Sequence, residues 1–152
     1  MIETRFTLGL TQEAIDIRNE VFTLEQGFDP EIDIDEKDKD AWHVVLYLDG
    51  YPISTGRIFE EDPETYHIGR VAVRKAFRGQ KVGTYTMKFL MTKAKTLGAR
   101  KVILGAQLDK VPFYKKLGFR PVPYSEVFLD GGAPHQMMYK VLTKKKNFKI
   151  VY

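Results

Sequence analysis

The stretch Val71 to Gly83, VAVRKAFRGQKVG, constrains this chain more than any other, because it joins a strand to a helix through a turn crowded with cations and glycine. The β-branched residues before Arg74 read as a short strand. Beyond Gly83 the run TYTMKFLMTKAKTLG continues as a helix. At 3.6 residues per turn, Val82, Tyr85, Phe89, Leu90, Ala94 and Leu97 share one face, Lys88, Lys93 and Lys95 lie elsewhere, and Gly98 supplies the stop. The first turn of such a helix offers free N–H groups and the positive end of its dipole, while Gly79 and Gly83 let a ligand approach the backbone. With Arg74, Lys75, Arg78 and Lys81 in the same turn, a polyphosphate is the natural guest; the other reading is a turn with a solvated basic face.

A second segment follows at a fixed distance. Lys101 to Leu104 reads as a strand, Gly105-Ala106-Gln107 as its exit, and Val111 to Phe119, VPFYKKLGF, as a short helix with a glycine cap leading into a new strand. RGQKVG and FYKKLGF in this order resemble the two coenzyme segments of the GNAT superfamily of N-acetyltransferases, a resemblance covering roughly residues 40 to 142. Arg78 and Gly83 match the superfamily's pyrophosphate loop. Lys81 stands where a glycine is usual, and the loop survives there as long as the position takes ordinary helical dihedrals.

The resemblance implies an α/β (α+β layered) GNAT fold: a mixed, mostly antiparallel central sheet, splayed at the acetyl-CoA site, with helices on both faces. It implies acetyl-CoA as cosubstrate and no metal. Val71, Ala72 and Val73 would present backbone groups to the pantetheine and thioester. Arg78, Gly79, Gln80, Lys81, Val82, Gly83 and Thr84 would take the pyrophosphate, and Gln107 the pantetheine arm. Tyr114 falls where the superfamily places the tyrosine that protonates the departing thiolate. The segment RNEVFTLEQG, Arg18 to Gly27, is similar to a bacterial subgroup, the ElaA-like acetyltransferases, in which an acidic stretch and an isolated histidine follow.

The length of 152 residues, 43% of them hydrophobic, fits one domain over 1–142 followed by a basic tail over 143–152. Without cysteine, acyl transfer has no thiolate nucleophile and is expected to be direct or to use another group. No membrane-length apolar run or leader is evident, so a cytoplasmic protein is expected. The net charge of +4 hides an asymmetry: Glu25 to Asp40 holds eight acids and two lysines, a local net of −6, leaving +10 elsewhere. The cations sit in the phosphate turn, the helices and the tail without interleaved aromatics, which argues for a coenzyme rather than nucleic acid.

In chain order, Ile2 to Leu10 reads as a strand and Thr11 as the N-cap of a helix to about Leu24, its apolar face Ala14, Ile15, Arg18, Val21 and Phe22. Arg18 either snorkels or holds a substrate or coenzyme anion. The acidic DPEIDIDEKDKDAWH reads as a loop or short helical turn. Asp33, Asp35 and Asp38 lack the glycine and terminal glutamate of a calcium loop, leaving a solvated surface or a rim that attracts a cationic amine. His43 to Leu48, a turn at Asp49-Gly50, Ile53 to Phe59, a polar loop over Glu60 to Thr65, and Tyr66 to Val73 form a meander. Two further strands, around Glu126 to Leu129 and His135 to Leu142, follow an irregular stretch at Pro121 and Pro123. The tail is either solvated or packs on a second subunit, making a homodimer.

An ammonium acceptor must shed a proton. Glu25, Glu60, His43 and His135 are the candidate bases, His43 lying beside carboxylates expected to raise its pKa. Arg57 in GRIF is a candidate for an anionic part of the acceptor. The resulting expectation is an N-acetyltransferase acting on a small, cationic amine. The alternatives are a catalytically silent acyl-CoA-binding regulator, or a protein-directed enzyme with an open cleft.

Overall fold

A computed structural model describes residues 1–142; the basic tail, and the second subunit it was expected to meet, lie outside the described residues. β1 (Ile2–Leu8), β2 (Trp42–Leu48), β3 (Tyr51–Asp62) and β4 (Thr65–Val73) form an antiparallel meander. β5 (Lys101–Gln107) joins it in parallel and pairs in turn with β8 (Ala133–Val141), which carries β6 (Arg120–Pro121) and β7 (Phe128–Asp130). The expected mixed, mostly antiparallel sheet is present. The polar loop over Glu60 to Thr65 is mostly strand, because β3 and β4 stay paired out to Asp62 and Thr65. Two residues of the irregular stretch, Arg120 and Pro121, pair with Tyr139 and Met138.

Side-chain alternation on β2 divides the core. Val44 and Leu46 point to one face with Ile53, Ile58 and Ile68, where α3 (Val82–Thr96) covers them. Val45 and Tyr47 point to the other with Ala72, under α1 (Gln12–Arg18) and its residues Ala14 and Ile17. Thr11 caps α1, its hydroxyl accepting from the Ala14 N–H. The chain then loosens into a π-helical turn over Asn19–Glu25 rather than one continuous α-helix. α2 (Pro30–Asp33) is a single turn started by Asp29 and Pro30. α4 (Val111–Lys116) ends at Gly118, whose φ is +94°.

The buried face of α3 is Val82, Thr86, Met87, Leu90 and Ala94. Tyr85 and Phe89, expected on that face, are 41% and 37% exposed. Phe89 and Tyr85 lie about 100° and about 140° from the middle of the contact stripe, and Thr86 is admitted because its hydroxyl bonds Ser54 Oγ and the Val82 carbonyl.

Two irregularities position the site. β4 pairs with β5 only over Thr65–His67 against Lys101–Ile103, and beyond that the parallel strands part. On its other edge, β4 opposes Arg70 and Val71 to the single residue Gly56 of β3, a β-bulge. Arg70 takes φ +52° there, unusual for a residue with a Cβ. Its side chain secures the strained turn, Nε donating to the Asp33 carbonyl at 2.9 Å and Nη2 to Asp35 Oδ2 at 3.2 Å.

Candidate active site

The gap between β4 and β5 opens into a cavity of about 1020 Å³, larger than one small ligand needs. It runs from the parted strands to the start of α3. Val71, Ala72, Val73, Arg78, Gly79, Lys81, Val82, Gly83, Thr84, Gln107 and Tyr114 line it, so one cavity gathers these expected coenzyme residues; Gln80 is exposed outside the lining. No side chain caps α3, which leaves its first-turn N–H groups to a ligand.

Lys81 departs from expectation. It sits at φ 62°, ψ 17°, in the left-handed region that favours glycine, and not in helical dihedrals. The turn demands this geometry to bring the chain into α3, and a Cβ there costs about 1–2 kcal/mol. Lys81→Gly relieves that strain and loses about 0.5–1 kcal/mol to the entropy of the unfolded chain. A ligand-free melt is therefore expected to rise by roughly 2 °C; a lower midpoint would refute the strain.

The guanidinium of Arg78 is engaged within the protein. Nη1 and Nη2 donate to the two carboxylate oxygens of Glu25 at 2.5 and 2.7 Å, and Nε donates to the Val73 carbonyl at 3.0 Å. Arg74 donates likewise to Glu20. Lys75 and Lys81 make no ion pair among the described residues, and they are the turn's remaining cations. Hydrogen bonding from Arg78 holds the Glu25 carboxyl below its ordinary range, which disfavours Glu25 as a proton acceptor.

His43 and Arg18 are corrected. His43 is 1% exposed and absent from the cavity lining, and its Nε2–H donates to the Asp38 carbonyl at 2.8 Å. Burial lowers its pKa, outweighing the carboxylate that was expected to raise it. Arg18 is fully buried: Nε donates to Asp33 at 3.1 Å, and Nη1 and Nη2 to Asp38 at 2.7 and 3.1 Å. Neither lines the cavity. Arg57 reaches the edge of the lining, but its Nη atoms are spent on Asp35 and Asp38. Of the acidic stretch expected to form a cationic-amine rim, Asp33, Asp35 and Asp38 pair with Arg18, Arg57 and Arg70, while Asp29, Glu31, Glu36 and Asp40 are exposed and outside the cavity lining. Glu60 is exposed outside the lining.

His135 and Tyr114 remain in the cavity. His135 is 7% exposed, and since the Ala133 carbonyl at 2.8 Å can only accept, Nδ1 carries a proton. The lone pair of the neutral ring is then on Nε2, which has no partner among the described residues. Tyr114 stands edge-on to Phe113 and Phe119, and burial pushes its hydroxyl up to about 12, so it stays protonated at neutral pH.

Sequence reading missed Phe22, Phe28, Phe128, His67 and Gly105, which also line the cavity. Phe22 was read only as helix face. The others have no local motif; only the splay of β4 from β5 and the fold of the β7–β8 hairpin bring them together.

The sequence profile of the Acetyltransferase (GNAT) family matches residues 11–119. The chain is 40% identical over 129 residues to the uncharacterised N-acetyltransferase YjcF of Bacillus subtilis, covering 85% of this chain and 91% of that protein. The crystal structure of Escherichia coli ElaA superposes with a TM-score of 0.79 at 32% identity, over 92% of this chain and 99% of ElaA. A GNAT family acetyltransferase from Elizabethkingia anophelis, solved with acetyl-CoA bound, shares the fold at 20% identity, with a TM-score of 0.71 over 93% of this chain and 98% of that one.

Proposed function

The chain belongs to the acetyltransferase (GNAT) family, and from that membership we propose that it moves an acetyl group from acetyl-CoA to the amine of a small acceptor by direct attack on the thioester. The observation that carries this reading is the parting of β4 from β5 beyond His67 and Ile103. It leaves backbone donors and acceptors of Val71–Val73 facing a cavity that leads to the uncapped start of α3. A pantetheine chain matches such an edge by hydrogen bonding as a strand would, and a pyrophosphate matches the helix start.

In this reading N–H groups at the bulge polarise the thioester carbonyl, and the first turn of α3 with Lys75 and Lys81 holds the phosphates. His135 Nε2 accepts the proton of the attacking amine, directly or through water, and the Tyr114 hydroxyl protonates the leaving sulfur. The segment over residues 25–28 crosses the cleft: Glu25 bonds Arg78, Gln26 bonds Gln107 at 2.9 Å, and Phe28 abuts Gly131 of the β7–β8 turn. A roofed cleft supports a small acceptor over a protein chain. The cationic charge expected of that acceptor loses support, because the acids from Asp29 to Asp40 are either paired with buried arginines or exposed outside the cavity lining. Residues 1–142 act as one domain in this reading, in the cytoplasm alongside the cosubstrate.

Coenzyme A at about 100 times its Kd is expected to stabilise the fold by about 2.7 kcal/mol, and with acetyl-CoA and an amine the protein is expected to release free thiol. No rise in melting temperature at millimolar coenzyme A would end the proposal. A rise without thiol release across an amine panel would leave a silent coenzyme binder.

A further inference from the structure

The acceptor half of the cavity has a composition that the coenzyme does not account for. Phe22 and Phe28 meet edge to face, with ring centroids 6.4 Å apart, and both line the cavity from the side of α1. Phe128 and Met137 line it from the opposite side. The two walls meet where Phe28 abuts Gly131, a position at which any side chain would collide with the ring. The floor is Gly69 on β4 and Gly105 on β5. A Cβ on Gly105 would come within 3.0 Å of Phe128 Cζ, so the glycine is what lets that ring lie over the strand.

Most of the charged groups at this end are already matched. Asp33 pairs with Arg18 and Arg70, and Arg57 with Asp35 and Asp38, while the His67 ring lies 3.1 Å from Glu61. Asp130 lines the cavity from the hairpin but is exposed to water. A second cationic group on the acceptor would give up its water and find no buried carboxylate without a partner among the described residues, whereas an apolar body would exchange water for three phenylalanines and a methionine. His135 stacks on Phe128 with centroids 5.6 Å apart, so a body held against Phe128 carries its amine toward His135 Nε2.

Resting on the acetyltransferase reading above, we propose that the acceptor is a primary amine on an apolar body, seated against Phe22, Phe28, Phe128 and Met137, with the amine delivered to His135. Selection is by hydrophobic burial, so the acceptor KM is independent of ionic strength.

The test compares 2-phenylethylamine with 1,4-diaminobutane in the full-length enzyme at saturating acetyl-CoA. The expected kcat/KM ratio is at least about tenfold in favour of the apolar amine, since one methylene in an apolar pocket is already worth about 10–200-fold. Phe28→Ala is expected to cut that ratio about tenfold with the coenzyme A Kd unchanged, while Phe28→Leu, which keeps an apolar side chain, retains most of it. Preference for the diamine, a KM that rises with salt, or an equal loss for both amines in Phe28→Ala overturns the inference. If neither amine turns over, 2-phenylethylamine must still raise the melting temperature of the coenzyme A complex, and its failure to do so overturns the inference too. Failure to bind coenzyme A at all strikes the acetyltransferase reading, whereas a diamine preference with coenzyme A bound strikes only the apolar acceptor.

Discussion

Asp38→Ala is expected to destabilise the fold by about 3–5 kcal/mol, the cost of breaking a buried ion pair from one side. Asp38 accepts from Arg18 Nη1 at 2.7 Å, Arg57 Nη1 at 2.8 Å and the Asp35 N–H at 3.0 Å, and it is 3% exposed. Without it, Arg18 keeps its charge in a fully buried position with only Asp33 beside it. The melting temperature should fall by roughly 10 °C, and the urea midpoint should drop with an unchanged slope. A loss below about 1 kcal/mol would show that water replaces the carboxylate.

Burial alone would raise the pKa of Asp38, but hydrogen bonds from Arg18, the Asp35 N–H and Arg57 outweigh it and hold the carboxyl well below the usual range. The unfolded chain therefore takes up this proton first as pH falls. The stabilisation is complete above about pH 4 and drains away below it, toward the depressed folded value. Acid unfolding curves should accordingly be shallower below pH 4 in Asp38→Ala than in the parent protein.

Tyr114→Phe is expected to lower kcat by about 10²-fold, the low end for general acid catalysis because a coenzyme thiolate is a tolerable leaving group. The ring contacts with Phe113 and Phe119 survive the change. The loss should therefore fall on kcat, with the coenzyme Kd intact. Burial keeps the hydroxyl protonated up to about 12, so the wild-type rate should show no loss of this acid between pH 7 and 9. An unchanged kcat, with chemistry rate-limiting, would give the proton to water instead.

The strand, turn and helix around Arg78 were legible because hydrophobic period changes there from two to 3.6 and because glycine and proline mark most turns. The contact face of α3 was half legible: large aromatics at Tyr85 and Phe89 drew the stripe toward themselves, although angle rather than size decides what is buried. The acidic stretch and Arg18, Arg57 and Arg70 were visible as charges, but their pairing spans up to 37 residues of sequence and carries no local signal. His43 was misjudged for the same reason. Its neighbours were read as solvent-facing carboxylates, and the fold gives it a backbone carbonyl and burial instead. Lys81 shows the opposite limit, a position whose backbone demand is fixed by the turn and not by the residue that occupies it.

The bulge in β4 also shifts the phase of the strand. Before it, the even-numbered Tyr66 and Ile68 pack with the cluster under α3; after it, the odd-numbered Val71 and Val73 do. Ala72 meets the opposite cluster. One extra residue thus keeps the apolar side chains on a single layer while the backbone bends away from β5. A chain one residue shorter here, without Arg70, would alternate regularly: both valines would keep their layer, but the bulge would close and the bend away from β5 would go with it. Loss of a single codon at this point is therefore a different class of change from any substitution along the strand.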